Sequence, residues 1–139
     1  MEDRIHLCVM TIDTIKYEKM VYYVGLPLGD GEVGVMANHT PLLAAIKDGP
    51  IKCKYADTVE YLYAGDGVVN VQNNEVIMLV RAAEKALDID ISRAKASKQR
   101  ASERIRNKDK STDINRAVES LRRALAREKV YHLSKESGM

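Results

Sequence analysis

EVIMLVRAAEKALDIDISRAKA, residues 75–96, changes its period partway along. Glu75 to Val80 is a short β-branched run of strand type. Beyond it, Ile91, Ala94, Ala101 and Ile105 lie on one helical stripe, with Lys98 completing the spacing. A β part therefore precedes this stretch and a helical part follows it.

Toward the N-terminus, residues 4–80 read as β. IHLCVMTI, MVYYVGL, GEVGVM, PIKCKY, VEYLYAG, GVVNVQ and EVIMLV are short and rich in β-branched and aromatic residues. Turn signals separate them: Gly29-Asp30-Gly31, Lys47-Asp48-Gly49-Pro50, Ala56-Asp57, Gly65-Asp66-Gly67 and Asn73-Asn74. Many short strands at even spacing indicate an all-β sandwich or flattened barrel over residues 1–84. Several runs are apolar on both faces, as expected where two sheets pack together.

Toward the C-terminus, Asp88 or Asp90 is placed to cap a first helix. NKDKST, residues 107–112, interrupts the stripe. Ser111 or Thr112 then caps a second helix, with Asp113 in its first turn. Ile114, Ala117, Val118, Leu121, Leu125 and Tyr131 form its stripe. A short connection between amphipathic helices predicts an antiparallel hairpin over residues 85–139. Both stripes are thin, so this arm must lean on the sandwich, on another protein or on a ligand.

A chain of 139 residues is one ordinary domain, or a small domain with an appendage, and can bury a core. Its net charge of +2 conceals a split. Residues 1–80 carry 6 Lys+Arg against 11 Asp+Glu, while residues 81–139 carry 16 against 9. The basic part is suited to nucleic acid, an acidic protein surface or a nucleotide. The start, MEDRIHL, lacks the apolar core of a signal peptide, and Val76–Val80 is too short to span a bilayer. Cys8 and Cys53 form no CxxC and read as reduced, buried thiols of a cytosolic protein.

Catalytic and metal chemistry find little support. There is no GxSxG, and no GxxxxGK followed by Ser or Thr; the glycines of GDGEVG and AGDG read as turns. His6, His39 and His132 have no ligand-like spacing with the cysteines or one another. The lone His39 follows Asn38, which tolerates left-handed backbone, and precedes Thr40-Pro41, which restarts an extended chain. A histidine at such a corner bonds backbone groups and shapes a surface. No catalytic residue and no metal ligand are assigned.

GEVGVMANHTPLLAAIKDGPIK, residues 31–52, resembles the stretch of the ε subunit of bacterial F-type ATP synthases that commonly reads GE-L/I-G-I/V-x-x-GH-x-PLL, followed by a KxG turn and a strand. EYLYAGDGVVNVQNNEVIMLVRAAEKALDIDISRAKA is similar to that family's following strands and the entry to its first helix. The resemblance runs through nearly the whole chain in order. Asn38 stands where the family usually has Gly, and Gly65-Asp66-Gly67 replaces its usual Gly-Gly. The resemblance implies a flat sandwich of about ten strands with a C-terminal helical hairpin. It also implies a central-stalk subunit, peripheral on the cytoplasmic face of the bacterial plasma membrane. Its partners would be the γ subunit, the c-subunit ring and the catalytic head, with membrane contact only through the complex. It would couple rotation to ATP synthesis and hold back ATP hydrolysis, without an active site of its own. Glu32 and His39 would face the ring and γ. The basic excess of residues 81–139 separately suits Arg116, Arg122 and Arg123 to acidic surfaces of the catalytic subunits.

Ile89-Asp90-Ile91-Ser92-Arg93-Ala94 matches a pattern (Ile or Leu, Asp, any two, Arg, Ala) associated with ATP binding in some bacterial ε subunits. The residues suit the ligand. ATP carries several negative charges and is best held by planar, multi-donor cations. Arg93 and Arg100 share one helix face, as do Arg123 and Arg127. Glu84 and Asp90 can accept from adenine or ribose. The expected ATP set is thus Glu84, Ile89, Asp90, Arg93, Ala94, Arg100, Arg123 and Arg127, for a regulatory ligand and no tightly bound cofactor. The alternative, a basic nucleic-acid-binding module, has only Tyr131 for stacking in its helices, and an acidic sandwich that repels a phosphate backbone. A small β-sandwich enzyme lacks a nucleophile–base pair.

Overall fold

The computed structural model describes residues 3–29, 31–107 and 113–137. Ten strands run in chain order: β1 (Ile5–Met10), β2 (Ile15–Val21), β3 (Tyr23–Leu28), β4 (Gly31–Val35), β5 (Leu42–Ile46), β6 (Gly49–Tyr55), β7 (Thr58–Ala64), β8 (Gly67–Gln72), β9 (Glu75–Val80) and β10 (Ala83–Lys85). They form two five-stranded sheets, ordered β2-β1-β9-β8-β5 and β10-β7-β6-β3-β4. The pairing of β1 with β9 is parallel, with Leu7 opposite Val76, and the others are antiparallel. The expected sandwich is present.

Turn chemistry sets the register. Asn73 and Asn74 both take positive φ, 52° and 61°, and close a two-residue hairpin between the Gln72–Glu75 pair. Ala56, at φ 50°, serves the same purpose between Tyr55 and Thr58.

Leu7, Val9, Val24, Leu26, Ile51, Leu62, Val69 and Met78 meet between the sheets in one core. The runs read as apolar on both faces are so, but packing between the two sheets accounts for only one of those faces. β9 alternates: Val76, Met78 and Val80 point inward, whereas Ile77 and Leu79 are 40% and 46% exposed. Val68 and Leu43 are exposed on the same sheet. One sheet therefore carries an apolar outer face, which is why its strands read as continuously hydrophobic. Cys8 and Cys53 are free and buried, as expected.

A single 3-10 turn, Ala86–Asp88, leads into α1 (Ile91–Asn107) and α2 (Ile114–Ser137). Asp90 caps α1, its Oδ1 accepting from the Arg93 N–H at 3.0 Å. Asp113 caps α2 by accepting from the Arg116 N–H at 3.2 Å, so it precedes the helix instead of lying in its first turn. Ser111 and Thr112 lie outside the described residues.

The helices form a hairpin closed by alanines: Ala94 and Ala101 of α1, Ala117 and Ala124 of α2 are all buried. Lys98 and Glu128 bridge the seam at 2.9 Å. Small side chains let the axes approach closely and turn bulkier neighbours aside. Ile114, Val118 and Leu125, expected on the packing stripe, are accordingly exposed. A second face of α2 lies across β6 and β7. There Ala126 and Val130 meet Tyr61, Tyr63, Ala86 and Ile89, with Tyr131 and Leu133 partly buried alongside.

Candidate functional site

The joint between sandwich and hairpin forms an open cleft of about 350 Å³, a volume within the range of small-molecule sites. Four elements build it. β10 pairs with β7, Glu84 opposite Tyr63, which sets the Glu84 carboxylate at the rim. The capped start of α1 supplies Asp90, Arg93, Ala94 and Ser97. The middle of α2 supplies Ser120, Arg123, Ala124 and Arg127, and Asp88 of the 3-10 turn completes the lining.

Three guanidinium groups thus face three carboxylates. Glu84 Oε1 accepts from Arg127 Nε at 2.6 Å, and the Arg127 guanidinium lies 4.4 Å from the centre of the Tyr63 ring. Arg123 reaches Glu119 at 3.4 Å, one turn back on its own helix. The Arg93 side chain has no ion-pair or hydrogen-bond partner among the described residues. Asp90 commits one oxygen to its cap. Three guanidinium groups beside three carboxylates are chemically suited to a polyanion that also carries hydrogen-bond donors.

Six of the eight residues named for ATP line this cavity: Glu84, Asp90, Arg93, Ala94, Arg123 and Arg127. Ile89 is instead buried in the joint core beside it. Arg100 is off the lining and donates to Ser97 Oγ at 3.1 Å. Ser97, Ser120 and Ala124 were not foreseen, and Asp88 was weighed only as a cap. Helical spacing held the signal, since Ser97 lies four residues after Arg93 and Ser120 three before Arg123.

Beneath the joint runs a second polar network. The Tyr63 hydroxyl accepts from Arg81 at 3.0 Å and donates to Asp48 Oδ2 at 3.2 Å. The Asp48 side chain is only 1% exposed, and its Oδ1 has no donor facing it. The Asp48 backbone N–H donates to Asp66 Oδ1 at 3.2 Å, which sets the two carboxyl groups side by side. Burial, then the Asp66 neighbour, pushes Asp48 above the usual carboxylate range. Its bond to Asp48, followed by Arg122 and Arg81, holds Asp66 below that range. Arg122 of α2 approaches Asp66 at 3.7 Å, so one named partner-surface residue lies at this joint. Arg116 stands exposed in the first turn of α2.

At the corner, Asn38 takes φ 67°, the left-handed conformation expected of it. His39 donates its N–H to the Met36 carbonyl at 3.2 Å, and its Nδ1 meets the Thr40 carbonyl at 2.6 Å. The Asn38 N–H donates to Asn74 Oδ1 at 2.7 Å, tying the corner to the β8–β9 hairpin. Glu32 is exposed and accepts from the Tyr23 hydroxyl. The Tyr23 ring lies flat over Gly34, where a Cβ would come within 2.6 Å of it.

Residues 4–86 match the model of the ATP synthase delta/epsilon chain β-sandwich domain, and residues 88–131 that of its long α-helix domain. The ATP synthase epsilon chains of Staphylococcus aureus strains JH9 and Newman are each 45% identical over 103 residues, covering 74% of this chain and 77% of theirs. Among solved structures, a chain of the Euglena gracilis mitochondrial ATP synthase superposes with TM-score 0.80 at 17% identity, covering 91% of this chain and 80% of that one. A chain from the Tetrahymena thermophila mitochondrial ATP synthase central stalk and c-ring gives 0.54 at 12%, covering 99% and 98%. Nothing in these likenesses supports the nucleic-acid-binding alternative. With two family models in sequence over most of its length and relatives of this identity, the chain belongs to the ATP synthase delta/epsilon chain family, on its epsilon side.

Proposed function

We propose that this chain is a non-catalytic central-stalk subunit that couples rotation to ATP synthesis, restrains ATP hydrolysis through its helical arm, and senses ATP at the arm's joint. The family relationship carries the first part. Structurally similar chains come from ATP synthase assemblies described with a c-ring and a central stalk. The apolar outer sheet face around Val68, Ile77 and Leu79 suits a permanent protein partner, which we assign to γ. The corner of Glu32 and His39 is assigned to the ring. Among the described residues no helix is long and apolar enough to cross a membrane. In this reading the subunit sits peripherally on the cytoplasmic face of a bacterial plasma membrane, held there by its partners.

The single observation carrying the ATP reading is the cavity itself. Arg93 and Arg127, from different helices, converge on one space beside Glu84 of the sandwich. They do so only while the arm is folded down, so a nucleotide held there favours this pose. The lining offers charges that bind and orient, and the bound nucleotide is a signal that leaves intact. Exposed Ile114, Val118 and Leu125 give α2 an apolar edge for a second, extended pose against the catalytic head.

Calorimetric titration of the isolated chain with ATP tests this. Each charge-assisted hydrogen bond to phosphate contributes about 1.5–3 kcal/mol. Arg93→Ala should therefore weaken binding by roughly ten- to a hundredfold. No heat from the wild type at millimolar ATP, or equal affinity in Arg93→Ala, would remove nucleotide sensing and leave a mechanical coupling subunit.

A further inference from the structure

Arg127 belongs to the arm, yet its surroundings belong to the sandwich. Its Nε is held by Glu84 of β10 at 2.6 Å, and its guanidinium plane rests over the ring of Tyr63, from β7, at 4.4 Å. No other hydrogen bond of this side chain exists among the described residues, so both terminal amino groups are free for a ligand. An arginine on a solvated helix samples many rotamers, and ordering it opposes binding. Here a carboxylate and a ring face restrict it before any ligand arrives.

Tyr63 is itself fixed. It is fully buried and does not line the cavity. Its hydroxyl accepts from Arg81 and donates to Asp48, which holds the far end of the ring in place. A phenylalanine would supply the same face without these anchors, and an aliphatic residue would supply bulk without the electron-rich face that attracts a cation.

We propose that Tyr63 is a positioning residue of the nucleotide site: its ring presents the Arg127 guanidinium to the phosphates, and does so only while the arm is docked. The proposal rests on the ATP reading above and adds a sandwich residue to a site otherwise built on the arm and β10. Tyr63 touches no ligand and acts through Arg127. Because ring and guanidinium lie on opposite sides of the joint, pre-ordering and docking are one event, and a phosphate that engages Arg127 holds the arm down.

The test is a double-mutant cycle on the full chain, titrating ATP and, separately, inorganic tripolyphosphate by calorimetry. Tyr63→Phe should bind ATP within about threefold of wild type, since the ring face survives. Tyr63→Leu should weaken ATP by roughly 3- to 30-fold, the range of a partly desolvated cation–π contact. Tripolyphosphate binding should weaken in parallel. In an Arg127→Ala background, Tyr63→Leu should change nothing further. A merely structural tyrosine would instead show the same loss in both backgrounds, and that result overturns the proposal. Binding by Tyr63→Leu within twofold of wild type also overturns it. If Tyr63→Leu fails to melt cooperatively, Tyr63→Met takes its place in the cycle under the same criteria. A wild type that binds no ATP removes the site reading itself, an outcome distinct from a binding wild type whose Tyr63 variants bind equally.

Discussion

Val130→Ala should unlatch the arm and leave the sandwich intact. α2 buries four side chains among the described residues, Ala117, Ala124, Ala126 and Val130. Only Val130 is larger than alanine, and it is completely buried against Tyr61, Tyr63, Ala86 and Ile89. Removing its two methyl groups costs about 2 kcal/mol, from lost transfer free energy plus a partly unfilled cavity. That corresponds to a roughly 30-fold shift of the docking equilibrium. ATP at ten times its dissociation constant returns about 1.4 kcal/mol, or roughly tenfold. The truncation therefore outweighs the ligand.

Hydrogen exchange resolves the two contributions. Amides of residues 126–134 should lose protection about 30-fold in Val130→Ala and regain roughly tenfold of it with ATP. Amides of β1 and β9, in the separate sandwich core, should not change. Leu125→Ala, on the same helix but 47% exposed, should have no such effect. Unchanged protection in α2 would refute the assignment of Val130 as the latch. Equal losses in β1 and β9 would show that arm and sandwich open as one unit, and would refute conditional docking.

Three further outcomes follow from other parts of the molecule. Deleting residues 88–139 should raise ATP hydrolysis by the purified synthase while the shortened chain still co-purifies with it; unaltered hydrolysis counts against the arm as a restraint. Asn38→Gly should be nearly neutral in thermal melting, whereas Asn38→Val should cost about 1–2 kcal/mol, since a β-branched residue is strained at φ 67°. Asp48→Asn should remove an acid-side gain in stability. Because burial first, and Asp66 next, raise the folded value of Asp48, its contribution is complete below the unfolded value near ~4 and is lost as pH rises through the raised one. Wild-type melting points should thus climb from neutral pH toward the usual carboxylate range, and those of the variant should not. At still lower pH both should fall together as Asp66, whose folded value is lowered, takes up its proton.

What the sequence disclosed followed from local chemistry. Asn73-Asn74 and Asn38 announced their turns because positive φ restricts residue choice, whereas Ala56-Asp57 was visible through Asp57 although Ala56 is the residue at φ 50°. The switch of period after Val80 announced the helices. MVYYVGL was read as one strand although the chain breaks at Tyr22, so β2 (Ile15–Val21), nearly half of it charged, went unread. Leu42–Ile46 escaped notice as β5 because it is partly alanine and follows a proline, and β10 because three residues carry no period. The two faces of α2 were not separable, because alanine gives a weak amphipathic signal: of the stripe read as the packing face Ala117 is buried, whereas Ile114, Val118 and Leu125 are exposed and Ala124, Ala126 and Val130 are buried instead. At the site, the Ile89–Ala94 motif and the paired arginines were local and visible. Tyr63 beneath Arg127, and the Asp48–Asp66 pair, join residues distant in sequence, and no spacing rule reports them.

The alanine seam also explains why ATP would tune the arm without locking it. A hairpin closed on alanines contributes little apolar burial, so the folded pose depends on the small joint core and on the charges at the cavity. The extended pose in our reading has a resource of its own in Ile114, Val118 and Leu125, each roughly half exposed here. Burying the remainder of three such side chains is worth about 3 kcal/mol, half of what full burial gives. ATP at ten times its dissociation constant opposes this with about 1.4 kcal/mol. A ligand of that strength shifts a balanced equilibrium about tenfold and a strongly biased one hardly at all. The restraint on hydrolysis should therefore be graded with ATP concentration. It should be abolished by ATP only where the apolar edge is weakened as well, as in Val118→Ser combined with Leu125→Ser.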